Sequence, residues 1–266
     1  MSSTPTTDDR PVRYDVEDRI ARITLDRPDS LNAVTPELYE GIEAGLEQAA
    51  ADDARVVVIQ GEGRAFCVGA DMEQHDERER SAKERREYVW RAQDACRAVQ
   101  TSDLPVIASV HGYAIGAGAE LALSADFLVM SEDAEIRFPE VSIGTYVGGG
   151  VSYTLSARVG AAKAKELVLR GATVTGAEAD EMGLASEVVP RADLEDEVDE
   201  LADDLAGNAP IPMAFAKEQF DPARQADRDH RLTAEAEALL ACMGTDDWQE
   251  GVDAFAEDRD PVFTGE

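Results

Sequence analysis

Val56-Val57-Val58-Ile59-Gln60, closed by Gly61, is the segment that most limits what this chain can become. Its four apolar, β-branched residues in succession leave no polar face. A strand made from them must be covered on both sides, as happens in a parallel sheet flanked by helices. Pro105-Val106-Ile107-Ala108-Ser109-Val110 has the same buried character, and Phe127-Leu128-Val129-Met130 reads as a further strand. Ile20–Leu25, in which Ile23 and Leu25 alternate with Arg22 and Thr24, suits a strand with one face buried. Between these strands lie helical patterns. Thr35 and Pro36 supply a cap and a first-turn proline, and Leu38, Ile42 and Leu46 then recur every four residues through a helix ending near Asp53. A charged stretch over 77–100 places Trp90, Cys96 and Val99 at helical spacing, as an exposed helix with a narrow apolar stripe would. A third helix starts near Ala117, and 151–170 reads as a fourth. Between them, Phe138 to Gly150 is expected to be a loop. After roughly Val188 the pattern is helical and dense in acid. Strands alternating with helices, then helices alone, predict an α/β core with a helical C-terminal region. The expected divisions are a polar, disordered tail over 1–11, a core over 12–195 and the helical region over 196–266.

The charge is unusual for such a core. There are 56 acidic residues against 25 basic ones, a net charge of −31, and only Lys83, Lys163, Lys165 and Lys217 are lysines. Acid spread along the chain, arginine in place of lysine and an intact apolar quota of 44% fit a protein kept soluble in concentrated salt, where the Debye length falls to ~3 Å at 1 M. A halophilic cytoplasm is therefore expected. Recurrent apolar segments exclude an acidic disordered chain. No basic stripe is present to neutralise phosphates, which disfavours nucleic acid as a partner. Cys67, Cys96 and Cys242 are widely spaced and read as reduced thiols rather than as a disulfide or zinc framework. The N-terminus lacks a basic and apolar leader, and no apolar run approaches ~20 residues, so neither secretion nor a membrane span is expected.

Against that acidic background two glutamates stand apart by context. Glu120 follows the small-residue turn Gly116-Ala117-Gly118-Ala119, and Glu140 lies in Ile136-Arg137-Phe138-Pro139-Glu140-Val141. Two carboxyls facing one water-excluding cleft can divide a proton-transfer reaction, which points to a lyase or an isomerase. Glu140, flanked by apolar residues, is the better candidate for the protonated acid, because desolvation raises a carboxyl pKa. Phe66-Cys67-Val68-Gly69-Ala70-Asp71-Met72 follows the strand at 56–60, and Gly69 lets the backbone approach a ligand, so that the Ala70 N–H can point at a substrate oxygen. The segment His111 to Glu120 joins a strand to a helix whose first N–H groups lack internal partners and favour developing negative charge. Tyr113 is expected to pack against the core. Leu121 stands where a dinucleotide fingerprint needs its third glycine, there is no Gly-x-Ser-x-Gly elbow, and His75, His111 and His230 lack ligand spacing. No metal site is expected.

In order and spacing these segments resemble the crotonase, or enoyl-CoA hydratase/isomerase, superfamily. The residues that carry the likeness are Leu25-Asp26-Arg27-Pro28 with Leu31-Asn32-Ala33, Gly69-Ala70-Asp71, Gly112-Tyr113-Ala114, Phe138-Pro139-Glu140, Gly183-Leu184-Ala185 and Glu250-Gly251-Val252-Asp253-Ala254-Phe255. The resemblance implies a crotonase (ClpP/crotonase-like) spiral of ββα units, with C-terminal helices that pack against neighbours in a homotrimer or a dimer of trimers. It implies that the N–H groups of Ala70 and Ala117 form an oxyanion hole for an acyl-CoA thioester. Glu120 then activates the attacking water and Glu140 delivers a proton to the α-carbon. Arg27, Leu31, Asn32, Ala33, Val68, Gly69, Asp71, Met72, Gly116, Gly148, Phe255 and Arg259 fall at substrate- or CoA-binding positions. Hydration of a trans-2-enoyl-CoA is implied, with CoA as part of the substrate and no separate cofactor. A double-bond isomerase, an acyl-CoA hydrolase and a silent acyl-CoA-binding protein remain alternatives. Two departures from the pattern stand out: Val147 replaces a usual proline in Gly144–Gly150, and Glu257-Asp258-Arg259-Asp260 replaces lysines that hold CoA phosphates in relatives, leaving Arg259.

Overall fold

The computed structural model describes residues 10–71, 81–208, 210–220, 233, 236–237, 239–259 and 261. The apolar run at 56 forms β3 (Val56–Gly61), and it lies where its composition requires, between two parallel neighbours, β2 (Ile20–Leu25) and β4 (Val106–Val110). β4 in turn pairs in parallel with β6 (Phe127–Ser131), and β6 with β9 (Glu187–Val189). β1 (Val12–Glu17) closes the other edge antiparallel to β2, Val12 opposite Leu25. The six-stranded order is β1-β2-β3-β4-β6-β9. A small second sheet joins β5 (Tyr113–Ile115), β7 (Glu135–Arg137) and β8 (Thr173–Thr175). The crossovers between parallel strands are helices: α1 (Pro36–Ala51), α2 (Ala82–Thr101) and α3 (Ala117–Ser124). α4 (Val151–Arg170) and α5 (Gly176–Glu181) follow β7 and β8.

Period-2 alternation assigns the faces of the large sheet. Val57 and Ile59 of β3 join the main core with Leu38, Ile42, Val99 and Leu121. Val56 and Val58, with Ile107 and Val129, face α6 (Leu194–Gly207) through Leu194, Val198 and Ala202. Each such Val, Ile or Leu contributes roughly 1.5–3 kcal/mol on burial. The part-exposed Arg22–Asp199 pair beside them contributes at most about 1 kcal/mol, so packing rather than charge holds α6 on the sheet. The expected division at 195 consequently cuts α6 at its start. A sheet of apolar strands needs cover on both faces, and α6 supplies the second.

Other expectations also shift. The stripe of α2 is formed by Val89, Gln93, Cys96 and Val99, whereas Trp90 is exposed and lies under the Arg86 guanidinium, 5.5 Å from its ring centre. Thr24 is buried along with Ile23 and Leu25. The loop expected from Phe138 to Gly150 contains a 3-10 turn, Glu140–Ile143. The described C-terminal helices also make contacts within their own chain. α7 (Pro210–Phe220) is pinned by the Lys217 ammonium, which bonds the carbonyls of Val99 and Leu104 and sits 2.6 Å from Asp126 Oδ2. α8 (Asp246–Ala256) presses Trp248 into a cluster with Val89, Ala236, Met243 and Ile143. The expected tail lies largely outside the described residues, but Pro11 already accepts a backbone hydrogen bond from Asp26. No described helix is long and apolar enough to cross a membrane.

Candidate active site

Two backbone turns, each built on a glycine, meet at the start of α3. The 66–71 segment leaves β3 and is strapped on both sides. Phe66 and Cys67 donate to the carbonyls of His111 and Tyr113, Ile115 donates to Cys67, and Val34 donates to the Gly69 carbonyl at 2.7 Å. Gly69 has φ +85°, and a Cβ there would lie 2.6 Å from the Ile115 carbonyl oxygen and 3.3 Å from the Ala117 nitrogen. Only glycine allows this close crossing. Gly116, at φ 54° and ψ −124°, turns the chain from β5 into α3 so that Ala117 becomes its first residue. Neither the Ala70 nor the Ala117 N–H has a hydrogen-bond acceptor among the described residues. Two partly exposed amides are thereby left free beside each other, one at a helix N-terminus where the dipole favours negative charge.

The carboxyls enter from either side of the same helix start. Glu120, 6% exposed, is one turn into α3, where its own N–H donates to Gly116. Its Oε1 accepts the Gly148 N–H at 2.8 Å. A Cβ at Gly149 would lie 2.8 Å from Glu120 Oε2 and 2.9 Å from Cys96 Sγ, which puts the 148–150 segment directly against this carboxyl. Glu140, 7% exposed, opens the 3-10 turn after Pro139, and Thr145 donates to its carbonyl at 3.0 Å. Its Oε1 would be 3.4 Å from a Cβ at Gly116, the residue that caps α3. Its Oε2 is buried without a hydrogen-bond partner among the described residues. Burial pushes the Glu140 carboxyl up to about 7, against the opposing pulls of its own amide and of the Arg137 guanidinium. One carboxyl is thus held by an amide donor, and the other is desolvated and able to carry a proton near neutral pH.

The residues placed at binding positions separate into two groups. Leu31 and Asn32 both take left-handed conformations, φ 51° and 57°, in the loop that Val68 joins through its N–H to the Leu31 carbonyl. Asn32 helps hold this loop in place. It is fully buried, its Oδ1 accepts the Arg27 N–H at 2.8 Å, and its Nδ2 donates to Glu62 and Ala65 carbonyls at 3.0 and 2.8 Å, which uses up its donors. The Arg27 guanidinium pairs with Asp71 at 2.9 Å and bonds the carbonyl of buried Ala33, so it clamps this loop to the 66–71 turn. Glu250 and Glu257 surround the guanidinium of Arg259 and raise its pKa. Phe255 is 65% exposed on α8, and Tyr113, expected in the core, is 41% exposed. Met72 lies outside the described residues. Gly116 and Gly148 both touch the carboxyls, as described above.

Gln93 went unnoticed in the sequence, although it stands three residues before Cys96 as a polar residue on a buried stripe; its Nε2 donates to the Gly148 carbonyl at 2.9 Å. Two sizeable clefts lie elsewhere: one of about 990 Å³ lined by Glu43, Asp94, Arg97 and Pro210, and one of about 720 Å³ lined by Tyr153, Arg158, Met213 and Phe220. Neither includes Glu120 or Glu140 in its walls. Among the described residues no cluster of His, Cys, Asp and Glu is arranged to hold a metal ion.

Comparison with known proteins gives this geometry a lineage. The family model described as enoyl-CoA hydratase/isomerase matches residues 15–266. The 2,3-dehydroadipyl-CoA hydratase of Escherichia coli (strain K12) is 32% identical over 252 residues, 94% of this chain and 96% of that protein. The crotonyl-CoA hydratase of Syntrophomonas wolfei is 31% identical over 249 residues, covering 93% of this chain and 95% of the relative. Among solved structures, an enoyl-CoA hydratase from Mycobacterium avium subsp. paratuberculosis K-10 superposes with a TM-score of 0.86 at 30% identity, over 96% of this chain and 98% of that one. A family match over residues 15–266, relatives above 30% identity along nearly the whole chain and the shared architecture together show that this chain belongs to the enoyl-CoA hydratase/isomerase family, and its fold is the crotonase fold.

Proposed function

We propose that the protein is an enoyl-CoA hydratase, adding water reversibly to a trans-2-enoyl-CoA to give the 3-hydroxyacyl-CoA. One observation carries this reading: two buried carboxyls in different environments converge on a helix start that also offers two unpartnered amides. The thioester oxygen accepts from the Ala70 and Ala117 N–H groups, which stabilise the negative charge that collects there as C3 is attacked. Glu120, its Oε1 held by the Gly148 N–H, takes a proton from water while the water oxygen bonds C3. Glu140 gives its proton to C2 as the enolate collapses. The product has gained one O–H at C3 and one hydrogen at C2, and the proton now on Glu120 must return to Glu140 before the next turnover. The elements of water are added with no net oxidation or reduction of the substrate, so CoA serves as the handle of the substrate and the step needs no electron carrier.

Several finer assignments belong to the same proposal. The Arg27–Ala33 loop, Val68, Gly69 and the Arg27–Asp71 clamp form the wall nearest the thioester, with Phe255 toward the CoA end. Exposed apolar side chains such as Phe255 and Leu169 support a homotrimer or a dimer of trimers. The net charge of −31 supports work in a salt-rich cytoplasm and away from nucleic acid, and the hydratase reading itself suggests a place in acyl-CoA degradation.

The test is a panel of short, medium and aromatic enoyl-CoA esters assayed in molar KCl, with Ala117→Pro beside the wild type. At the first position of a helix proline removes an N–H that has no helical partner, so α3 is kept. The wild type is expected to consume at least one ester. The variant is expected to be slower by roughly 10²–10³-fold, the usual effect of losing one oxyanion donor. A panel that is bound but not hydrated would leave a silent acyl-CoA-binding protein.

A further inference from the structure

We propose that Gln93 is a positioning residue for hydration, acting through Gly148 on the carboxyl of Glu120; the proposal rests on the hydratase reading above. Gly148 is gripped from two sides. Its N–H donates to Glu120 Oε1 at 2.8 Å, and its carbonyl accepts from Gln93 Nε2 at 2.9 Å. The 144–150 segment that contains it has no strand or helix pairing of its own beyond the 3-10 turn that it follows. Val147 is buried in the main core and Tyr146 packs against it.

Apolar anchoring on either side fixes the depth of the segment but does not by itself set the rotation of the Gly148 peptide planes. A hydrogen bond from a rigid helix fixes rotation, and α2 supplies it. The same face of α2 presents Gln93, Cys96 and Gln100 in succession. Cys96 borders Gly149, while Gln100 donates to Ser124 Oγ at 3.1 Å and Ser124 donates to the Glu120 carbonyl at 2.8 Å. α2 therefore braces both the helix that carries Glu120 and the loop that aims its carboxyl. Gln93 is 7% exposed, so its amide is a buried polar group whose retention needs a partner, and the Gly148 carbonyl is one.

The distinguishing consequence is selective. Gln93 bears on Glu120, which handles water at C3, and it leaves untouched the amides and Glu140, which handle the hydrogen at C2. Gln93→Leu removes the donor at similar size. In molar KCl it is expected to lower kcat for hydration roughly 10- to 100-fold, the scale of losses from small misplacement of a reacting group, with KM changed less than about two-fold. Exchange of the α-hydrogens of butyryl-CoA with deuterium oxide is expected to stay within about two-fold of wild type in the same preparation. Gln93→Met serves as the second variant if the first does not fold. Loss of hydration and exchange together, or failure of both variants to fold, assigns Gln93 a merely structural role and overturns the proposal. A hydrating wild type with an equally fast Gln93→Leu overturns it as well, while a wild type that hydrates nothing overturns the hydratase reading and this inference together.

Discussion

Glu140→Gln is expected to lower turnover by ~10³-fold, within the usual range for a general acid–base group, and at the same time to make the folded chain more stable above neutral pH. Both effects come from one cause. The carboxyl is desolvated, with Oε2 unpartnered, and its folded pKa stands near 7 against an ordinary 4.5. Below the ordinary value both folded and unfolded chains carry the proton and no difference arises. As pH rises from there, the unfolded chain releases it first, so the folded state loses stability until the pH has passed the folded value. A carboxyl raised from 4.5 to about 7 corresponds to roughly 3 kcal/mol at full effect. Glutamine keeps the size without the charge, so the variant is expected to be up to roughly 3 kcal/mol more stable near pH 8 and close to wild type near pH 4. Chemical denaturation at the two pH values, paired with kcat, checks this. A variant that is less stable than wild type near pH 8, or one that turns over normally, contradicts it.

Glu120→Gln is expected to be at least as damaging to hydration, ~10³–10⁴-fold in kcat, with little change in KM. The amide oxygen of glutamine can still accept from Gly148, so the loop remains seated, but it cannot take a proton from water. The backbone contact from Ser124 to the residue 120 carbonyl is independent of the side chain and should preserve α3. Steady-state kinetics with crotonyl-CoA, supported by a melting curve, decides the point. If turnover survived in this variant, water would not be activated there, and an isomerase or a hydrolase would fit better.

Most of the large sheet was legible because its inner strands have no polar alternative: Val56–Ile59 can only be buried on both sides, β3, β4 and β6 follow from such runs, and β2 from the alternation of Ile23 and Leu25 with Arg22 and Thr24. β5, β7, β8 and β9 were not, since three residues each are too few to display a period. The buried side of α2 was misread because Gln93 and Gln100 occupy it, so that apolar spacing pointed to Trp90 instead. At the site, Glu120, Glu140 and the turns at Gly69 and Gly116 were visible from composition and family likeness. What stayed hidden was which polar side chains are already engaged. The triple bonding of Asn32, the pairing of Arg27 with Asp71 and the enclosure of Arg259 by Glu250 and Glu257 are long-range or loop-specific matches that spacing does not encode.

The most direct measurement follows isotopes through the wild-type reaction. Crotonyl-CoA is incubated with the protein in molar KCl, once in water enriched in heavy oxygen and once in deuterium oxide, and the products are read by mass spectrometry. Two carboxyls dividing one water should place the labelled oxygen at C3 and a single deuterium at C2 of an intact CoA thioester. Recovery of a shifted double bond without labelled oxygen, or of free CoA with the label in a carboxylic acid, would contradict hydration by Glu120 and Glu140.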